Sequence, residues 1–366
     1  MQNSGILQIN KKAGETPGCV RFDKGSGKFP FPDDFLPYID KIKDSVKNKY
    51  FHYPTMGGET DLKNFIVKEE LKNSRHLTAD NIVVTHGGMS GLFILFSTLF
   101  KPGDEIITNN FCFEGFLLLL KHFKLIQKRV DFSDIETVKK AISPNTKAII
   151  FNSPENPTGK VYTKKEIQQL IELAGEHKLW FFSDEVMNRI VYNDIKWEGP
   201  VLDNNKVVII NSFSKNWFIP GIRVGWIACK DETAIELFNN FVSLYSVGVN
   251  LFSQLFLTEV LSDINYEQFI NKYLNILSKR KLLVEKYLNE SNIKWLSDVN
   301  GGMNYYIDLK KDSHKVSLQL LEKGVAVIPG RLFEGQTSTY ARLGFGAVNE
   351  EDIKRGIKAI SSLLNN

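Results

Sequence analysis

Lys215 closes the run Asn211-Ser212-Phe213-Ser214-Lys215, directly after the apolar stretch Val207 to Ile210. Downstream comes Pro220-Gly221-Ile222-Arg223-Val224-Gly225-Trp226, with an arginine eight positions beyond the lysine. A lysine amine can form a reversible imine with an aldehyde cofactor such as pyridoxal phosphate, and hydroxyls with an arginine suit a phosphate. A bare Ser-x-Ser-Lys is more often a surface turn, because short motifs match falsely. Arg223 and three further segments argue against that reading here.

The first is Thr85-His86-Gly87-Gly88-Met89-Ser90-Gly91, between an apolar strand and a helix-like run from Leu92 to Phe100. Free N–H groups and the dipole at a helix N-terminus attract anions, and glycines let a phosphate come close. Gly-Lys-Ser/Thr is missing, so this is no P-loop. The second is Asn152-Ser153-Pro154-Glu155-Asn156-Pro157-Thr158-Gly159, where Pro and Gly fix a turn and Asn156 offers an amide to a phenolic oxygen. The third is Ser183-Asp184-Glu185 after Trp180 to Phe182. A carboxylate there can hold a pyridinium nitrogen protonated, although a single Asp at a strand end also reads as an exposed acid or helix cap. Gly25-Ser26-Gly27 precedes Pro30 and Pro32, so it opens no dinucleotide-binding helix.

Elements of the right kind surround these segments. From about Asp80, short apolar runs alternate with amphipathic stretches, the pattern of an α/β fold with a mostly parallel sheet wrapped by helices. The predicted strands are Ile82 to Val84, Glu105 to Ile107, Ala148 to Phe151, Trp180 to Phe182, Val207 to Ile210 and Val224 to Ala228. Ligands of open α/β sheets gather at the carboxyl ends of strands, where the polar segments fall. Lys164 to His177 reads as a crossover helix with Ile167, Leu170, Ile171 and Ala174 on one face, and Leu117 to Leu120 as the buried side of another. Tyr266 to Asn289 reads as a long amphipathic helix. Strand-like runs at Met303 to Leu309 and Val325 to Pro329 and a closing helix from Glu350 to Leu364 follow. The division expected is a large domain over 41–270 and a smaller α+β domain from 1–40 and 271–366.

Composition excludes several alternatives. The 366 residues are 43% hydrophobic and 24% charged, as in an ordinary globular protein of about two domains. A net charge of +4, with lysines interleaved among acids, argues against a nucleic-acid track. The three cysteines, Cys19, Cys112 and Cys229, form no disulfide framework or metal knuckle and fit a reducing cytoplasm. Six histidines give no His-x-x-x-His pair, so no metal is expected. Neither a signal peptide nor a span of about 20 apolar residues is found, so no membrane partner is expected.

Taken together, the segments resemble the fold-type I pyridoxal-phosphate enzymes of the aspartate aminotransferase (class I/II) family, from about Gly27 to Leu364. The resemblance implies that Lys215 forms the imine with pyridoxal 5'-phosphate and then shuttles the substrate proton. It implies that Asp184 pairs with the pyridinium nitrogen, Asn156 meets the phenolic oxygen, and Phe113 stacks on the ring. Gly87, Gly88, Met89, Ser212, Ser214 and Arg223 would hold the phosphate. Tyr53, in Tyr53-Pro54-Thr55-Met56-Gly57-Gly58, would reach the phosphate of a neighbouring subunit, which implies a homodimer. Arg342, in Tyr340-Ala341-Arg342-Leu343-Gly344-Phe345, would clamp the substrate carboxylate with a bidentate fork, with Gly27 and Asn156 also on the substrate. Side-chain specificity is expected from Lys11 to Phe31 and from Asn304.

One position departs from the pattern. Where the family reads Asp-Glu-x-Tyr, this chain has Asp184-Glu185-Val186-Met187, and a thioether cannot donate the tyrosine's hydrogen bond. Asn188 could take its place if the loop differs. The function expected is a cytoplasmic aminotransferase moving an amino group from an α-amino acid to a 2-oxo acid. The alternatives are a lyase, cyclase or oxidase on the same cofactor, and a non-catalytic pyridoxal-phosphate-binding protein.

Overall fold

A computed structural model describes residues 5–47, 53–263, 265–336 and 338–365. The described residues form twelve strands: β1 (Val20–Arg21), β2 (Ile82–Thr85), β3 (Glu105–Asn109), β4 (Ile126–Val130), β5 (Thr146–Asn152), β6 (Trp180–Asp184), β7 (Val207–Ser212), β8 (Gly225–Cys229), β9 (Asn304–Asp308), β10 (Val325–Ala326), β11 (Ile328–Pro329) and β12 (Tyr340–Gly344). Seven of them form one sheet in the order β2-β8-β7-β6-β5-β3-β4. Ladders among β3 to β7 are parallel, and β8 runs antiparallel between β2 and β7. Every residue of β7 is buried, as expected of a strand covered on both faces by helices.

Register sets the site. Asn152 at the end of β5 pairs with Asp184 at the end of β6, and Asp184 with Ile210 two residues before the end of β7. Three polar strand ends therefore meet at one edge of the sheet. The helix Lys164–Glu176 that crosses from β5 to β6 starts at a capping box between Thr163 and Glu166. It buries the predicted Ile167, Leu170, Ile171 and Ala174, and Leu173 with them.

Three readings need adjustment. β4 was not foreseen, because Ile-Gln-Lys-Arg-Val lacks an apolar run; it lies at the sheet edge, where one side meets solvent. The stretch Val325 to Pro329 divides into β10 and β11, which belong to different sheets. Of the leucine block, Leu119 and Leu120 are buried, but Leu118 is exposed.

β1 and β10 pair in parallel, Val20 with Val325, so the N-terminal segment joins the C-terminal part of the chain. Beside them β11, β12 and β9 form an antiparallel sheet. The long helix Tyr266–Glu290 begins at an Asn265 cap. The closing helix Glu350–Leu364 buries Ile353, Ile357 and Ile360 at helical spacing, and three acids in its first turn suit its dipole. One apolar core runs through both parts, containing Phe22 and Leu343 as well as Ile82 and Phe151.

Candidate active site

A cavity of about 380 Å³ opens at the carboxyl ends of β5, β6 and β7. Lys215 enters it from the short helix Phe213–Asn216 that follows β7, and its Nζ donates to the Gly25 carbonyl at 2.8 Å. Burial pushes the Lys215 amine down to about 7; Arg342 and Arg223 add to the fall, and Asp184 opposes it.

Asp184, also on the cavity, is buried, and its Oδ1 accepts the Val186 N–H at 3.2 Å. Burial raises its carboxyl to about 7 against that hydrogen bond, with Glu185 raising it further and Lys215 lowering it. Glu185, next in the chain, is held elsewhere. Both its oxygens accept from Arg75, at 2.7 and 2.9 Å, in a fully buried pair.

Gly87 caps the helix Gly88–Leu99 with φ 79°, a conformation that favours glycine. A Cβ at Gly87 would lie 2.6 Å from the Arg223 guanidinium. Arg223 is itself left-handed, φ 56°, and donates to Ser214 Oγ at 3.2 Å and Pro220 O at 2.9 Å. The first N–H groups of a helix have no acceptor within it. Gly88, Met89, Ser212, Ser214 and Arg223 thus frame an anion cradle on the cavity wall. Phe113, at the start of the helix Glu114–His122, lines the same cavity.

Arg342, from β12, reaches the cavity from the other part of the chain. It is buried; Nη2 donates to Asp23 O at 2.8 Å, Nη1 to Asn156 Oδ1 at 3.3 Å, and Nε has no acceptor. Burial brings its pKa down to about 10. Asn156 is set by Asn152, whose Oδ1 accepts the Asn156 N–H at 2.9 Å and whose Nδ2 donates to Asp184 O at 2.9 Å. The peptide bonds before Pro154 and Pro157 in this loop are cis.

Not every expected residue comes to the cavity. Gly27 stays off it, and Gly25 and Ser26 form the wall instead. At Gly25 a Cβ would meet the Arg342 guanidinium at 3.1 Å, whereas Gly27 backs onto Gly346. Asn304 is buried off the cavity, its Oδ1 without a partner. Tyr53 is 79% exposed and outside the cavity of its own chain. Met187 is buried and lines the site. Asn188 does not take the place of the missing tyrosine, because it does not line the cavity; its Oδ1 accepts from Asn216 Nδ2 at 2.7 Å. Asp23 and Lys24, within the stretch Lys11 to Phe31 expected to set specificity, line the site, and Ile6 and Asn10 line it without having been singled out. Sequence reading reached only their neighbourhood, since helix Gly5–Glu15 is far from Lys215 along the chain.

Pyridoxal phosphate fits this donor set. Asp184 is a buried carboxyl with a single hydrogen bond among the described residues, and a ring N–H cation would satisfy it. Gly88, Met89, Ser212, Ser214 and Arg223 suit a phosphate, and the Lys215 amine lies on the same cavity, while Gly87 stays off the cavity and lets Arg223 pack closely against the helix start. Among the described residues, no three His, Cys, Asp or Glu gather as a metal site, and no helix is long and apolar enough to cross a membrane.

Sheet and site together define a fold-type I pyridoxal-phosphate enzyme. The family model for aminotransferase class I and II matches residues 25–360, and the chain belongs to that family. It is 29% identical to the probable aspartate aminotransferase of Methanocaldococcus jannaschii, over 98% of this chain and 96% of that one. It is 30% identical to the (5-formylfuran-3-yl)methyl phosphate transaminase of the same organism, over 98% and 95%. Among solved structures, a double mutant of Thermus thermophilus aspartate aminotransferase matches with a TM-score of 0.90 at 24% identity, covering 99% of this chain and 97% of that one. The protein is a pyridoxal-phosphate-dependent aminotransferase. Nothing in these comparisons favours the lyase, cyclase, oxidase or non-catalytic readings.

Proposed function

We propose that this aminotransferase works on α-amino acids as a cytoplasmic homodimer, with Lys215 and Asp184 as its catalytic residues. The observation that carries the reading is the convergence of Lys215, Asp184 and Arg342 on one cavity from three distant parts of the chain. Pyridoxal phosphate, when bound, supplies the aldehyde that takes the amino group and an electron sink for the charge left at the α-carbon.

Each side chain then has one task. The Lys215 Nζ, its pKa pushed down to about 7 by burial, would bind the aldehyde and would carry the proton held at the substrate's α-carbon. The Asp184 carboxylate accepts the ring N–H, and Asn156 directs its amide to the phenolic oxygen. Gly87, Gly88, Met89, Ser212, Ser214 and Arg223 hold the phosphate, and Phe113 covers the ring. Arg342 binds the α-carboxylate, which orients the Cα–H bond toward Lys215 and disfavours loss of the carboxylate. Gly25 and Asn156 set the guanidinium for that contact. Arg342 comes from the smaller domain of 1–40 and 271–366, and most of the cofactor set from 41–270.

The surface beside the phosphate cradle supports a second copy. Tyr53, Met56, Leu244 and Val247 are exposed there, and His86 Nε2 bonds Gly248 O on the same rim. Tyr53 would reach the partner's phosphate across that surface. The unpaired cysteines accord with a reducing compartment.

The test is a half-reaction. An amino-acid donor is added to the loaded enzyme without an acceptor, and cofactor form and products are identified. Stoichiometric pyridoxamine phosphate with a 2-oxo acid is the expected result. Retained pyridoxal phosphate with ammonia, peroxide or a cyclised product would overturn it.

A further inference from the structure

Glu155 directly precedes Asn156 in the turn after β5, yet the two side chains are placed differently. Asn156 lines the cavity, whereas Glu155 is buried away from it, and none of the tasks above uses its carboxyl. Three neutral donors converge on that group. Thr158 Oγ1 donates to Oε2 at 2.6 Å, Tyr162 Oη to Oε1 at 2.8 Å, and Asn109 Nδ2 to Oε1 as well. Asn109 stands at the end of β3. Its amide nitrogen also donates to Tyr162 Oη at 2.9 Å, and its Oδ1 accepts the Phe132 N–H at 3.2 Å.

Among the described residues no cation is paired with Glu155. Lys160, in the same turn, is committed to Ser133 Oγ at 2.7 Å and Glu166 Oε1 at 2.8 Å. Burial raises the Glu155 carboxyl; the bonds from Thr158, Tyr162 and Asn109 oppose the rise, as does the charge of Lys160. Burial also holds the Tyr162 hydroxyl well above its usual range, with Glu155 adding to it, so the phenol stays a donor. A carboxylate only accepts, which suits three donors, whereas an amide in its place would turn a donor toward donors. The main chain of Glu155 is tied down equally. Its N–H donates to Lys160 O at 2.8 Å, and its carbonyl accepts the Gly159 N–H at 2.8 Å. The turn closes around one inward side chain and carries Asn156 on its rim. There Asn156 Oδ1 accepts from Arg342 Nη1 at 3.3 Å, so its Nδ2 is the end left for the cofactor.

We propose that Glu155 is a positioning residue: its buried carboxylate, held by Asn109, Thr158 and Tyr162, fixes the Asn156 amide toward the cofactor's phenolic oxygen and steadies Arg342 for the substrate carboxylate. The proposal rests on the reading above that Asn156 meets that oxygen, and adds the group that sets it there.

Glu155→Gln, Asn156→Ala and the double variant are loaded with pyridoxal phosphate and titrated by absorbance. Taking a donor from the phenolic oxygen leaves more negative charge there and favours the protonated Lys215 nitrogen. Losing the Glu155 charge alone would do the opposite, so the sign separates position from charge. Glu155→Gln should raise the pKa of the cofactor-bound nitrogen by roughly half a pH unit or more, the direction also expected of Asn156→Ala. The double variant should match Asn156→Ala, because two residues acting through one contact are not additive. By equilibrium dialysis, Glu155→Gln should weaken cofactor binding roughly three- to tenfold, the range of one ordinary hydrogen bond. Adding Asn109→Asp to Glu155→Gln exchanges donor and acceptor across the contact and should restore both readings. Should Glu155→Gln not fold, Tyr162→Phe removes one of the three donors and should move the nitrogen the same way by less. An unchanged or lowered pKa, or the same shift with and without Asn156, would overturn the proposal. If Asn156→Ala itself leaves the nitrogen unmoved, the phenolic contact of Asn156 fails instead. Propionate binding to the loaded enzyme, read by absorbance, then decides for Glu155: it should weaken alike in Glu155→Gln and Asn156→Ala, through Arg342. Binding equal to wild type in both would reject the role.

Discussion

Arg75 does not line the active-site cavity, yet its replacement tests how the end of β6 is held. Its guanidinium donates to Glu185 at 2.7 and 2.9 Å, to Glu70 at 2.7 Å and to Pro200 O at 2.8 Å, all within a buried cluster. Trp226 Nε1 donates to Glu70 at 2.9 Å, and Ser183 Oγ to Glu185 at 2.9 Å. Trp197, in cation–π range of Arg75, donates to Ser153 O in the loop that carries Asn156. Arg75→Met removes the only cation here and leaves two buried carboxylates. Breaking one side of a buried ion pair costs about 3–5 kcal/mol, because the remaining charge has no partner.

Linkage gives the sign of the pH dependence. Burial raises the Glu185 carboxyl and Arg75 opposes the rise, so without Arg75 it lies further above its unfolded value, and the folded variant holds a proton that the unfolded one has released. Stability is then lost as pH rises from about 4 through the raised folded values. Urea midpoints at pH 5.5 and 8 measure this: the variant's deficit should be small at the lower pH and approach its full size at the higher. Arg75→Met with Glu185→Gln should recover a measurable part of the loss, since contacting residues couple by about 0.5–3 kcal/mol. The same deficit at both pH values, or no recovery in the double variant, would refute the account.

Three further outcomes are expected. With the Lys215 amine pushed down to about 7, cofactor capture by the stripped enzyme should accelerate as pH rises and level off near pH 8, instead of climbing toward 10.5; stopped-flow absorbance measures it, and Arg342→Met should move the plateau upward. Gly87→Ala, forced into φ 79° and against Arg223, should weaken cofactor binding at least tenfold by equilibrium dialysis, about 1.4 kcal/mol. Gly221→Ala, with open space around it, should not. Met187→Tyr should lower the pKa of the cofactor-bound Lys215 nitrogen, each unit corresponding to about 1.4 kcal/mol; identical spectroscopic titrations would mean that another donor already meets the oxygen.

Lys215, Asp184 and Asn156 each follow a strand signal closely, so local pattern carries them to the sheet's carboxyl edge; Arg223 reaches the same edge because it directly precedes β8, which runs antiparallel to β7. Arg342 was legible only through resemblance, since its place depends on how the β9, β11 and β12 sheet packs. The exchange of Gly25 for Gly27 shows the limit of a glycine pair: both permit a close approach, and only the fold decides which faces Arg342. Lys24 was legible only as one residue of the stretch Lys11 to Phe31, because its partner Asn10 lies on helix Gly5–Glu15, which no local pattern joins to it. Glu185 and Arg75 are 110 positions apart, and no local pattern joins them.

Adjacent carboxylates at the end of β6 show how one strand serves fold and chemistry together. Successive side chains of an extended segment leave on opposite sides. Asp184 therefore lines the cavity while Glu185 enters the core, and both are buried. Two such charges in contact with nothing positive would be costly, and each would raise the other's pKa. The fold supplies a fixed cation for Glu185 in Arg75, with two hydrogen bonds and no solvent. For Asp184 it supplies one backbone N–H and the distant charge of Lys215, so burial, which raises both carboxyls, is met at Asp184 by a single hydrogen bond. Asp184 thus gains most from a cationic ring nitrogen delivered with a ligand. Neutralising Glu185 inside the protein keeps Asp184 as the acid that the cofactor must satisfy.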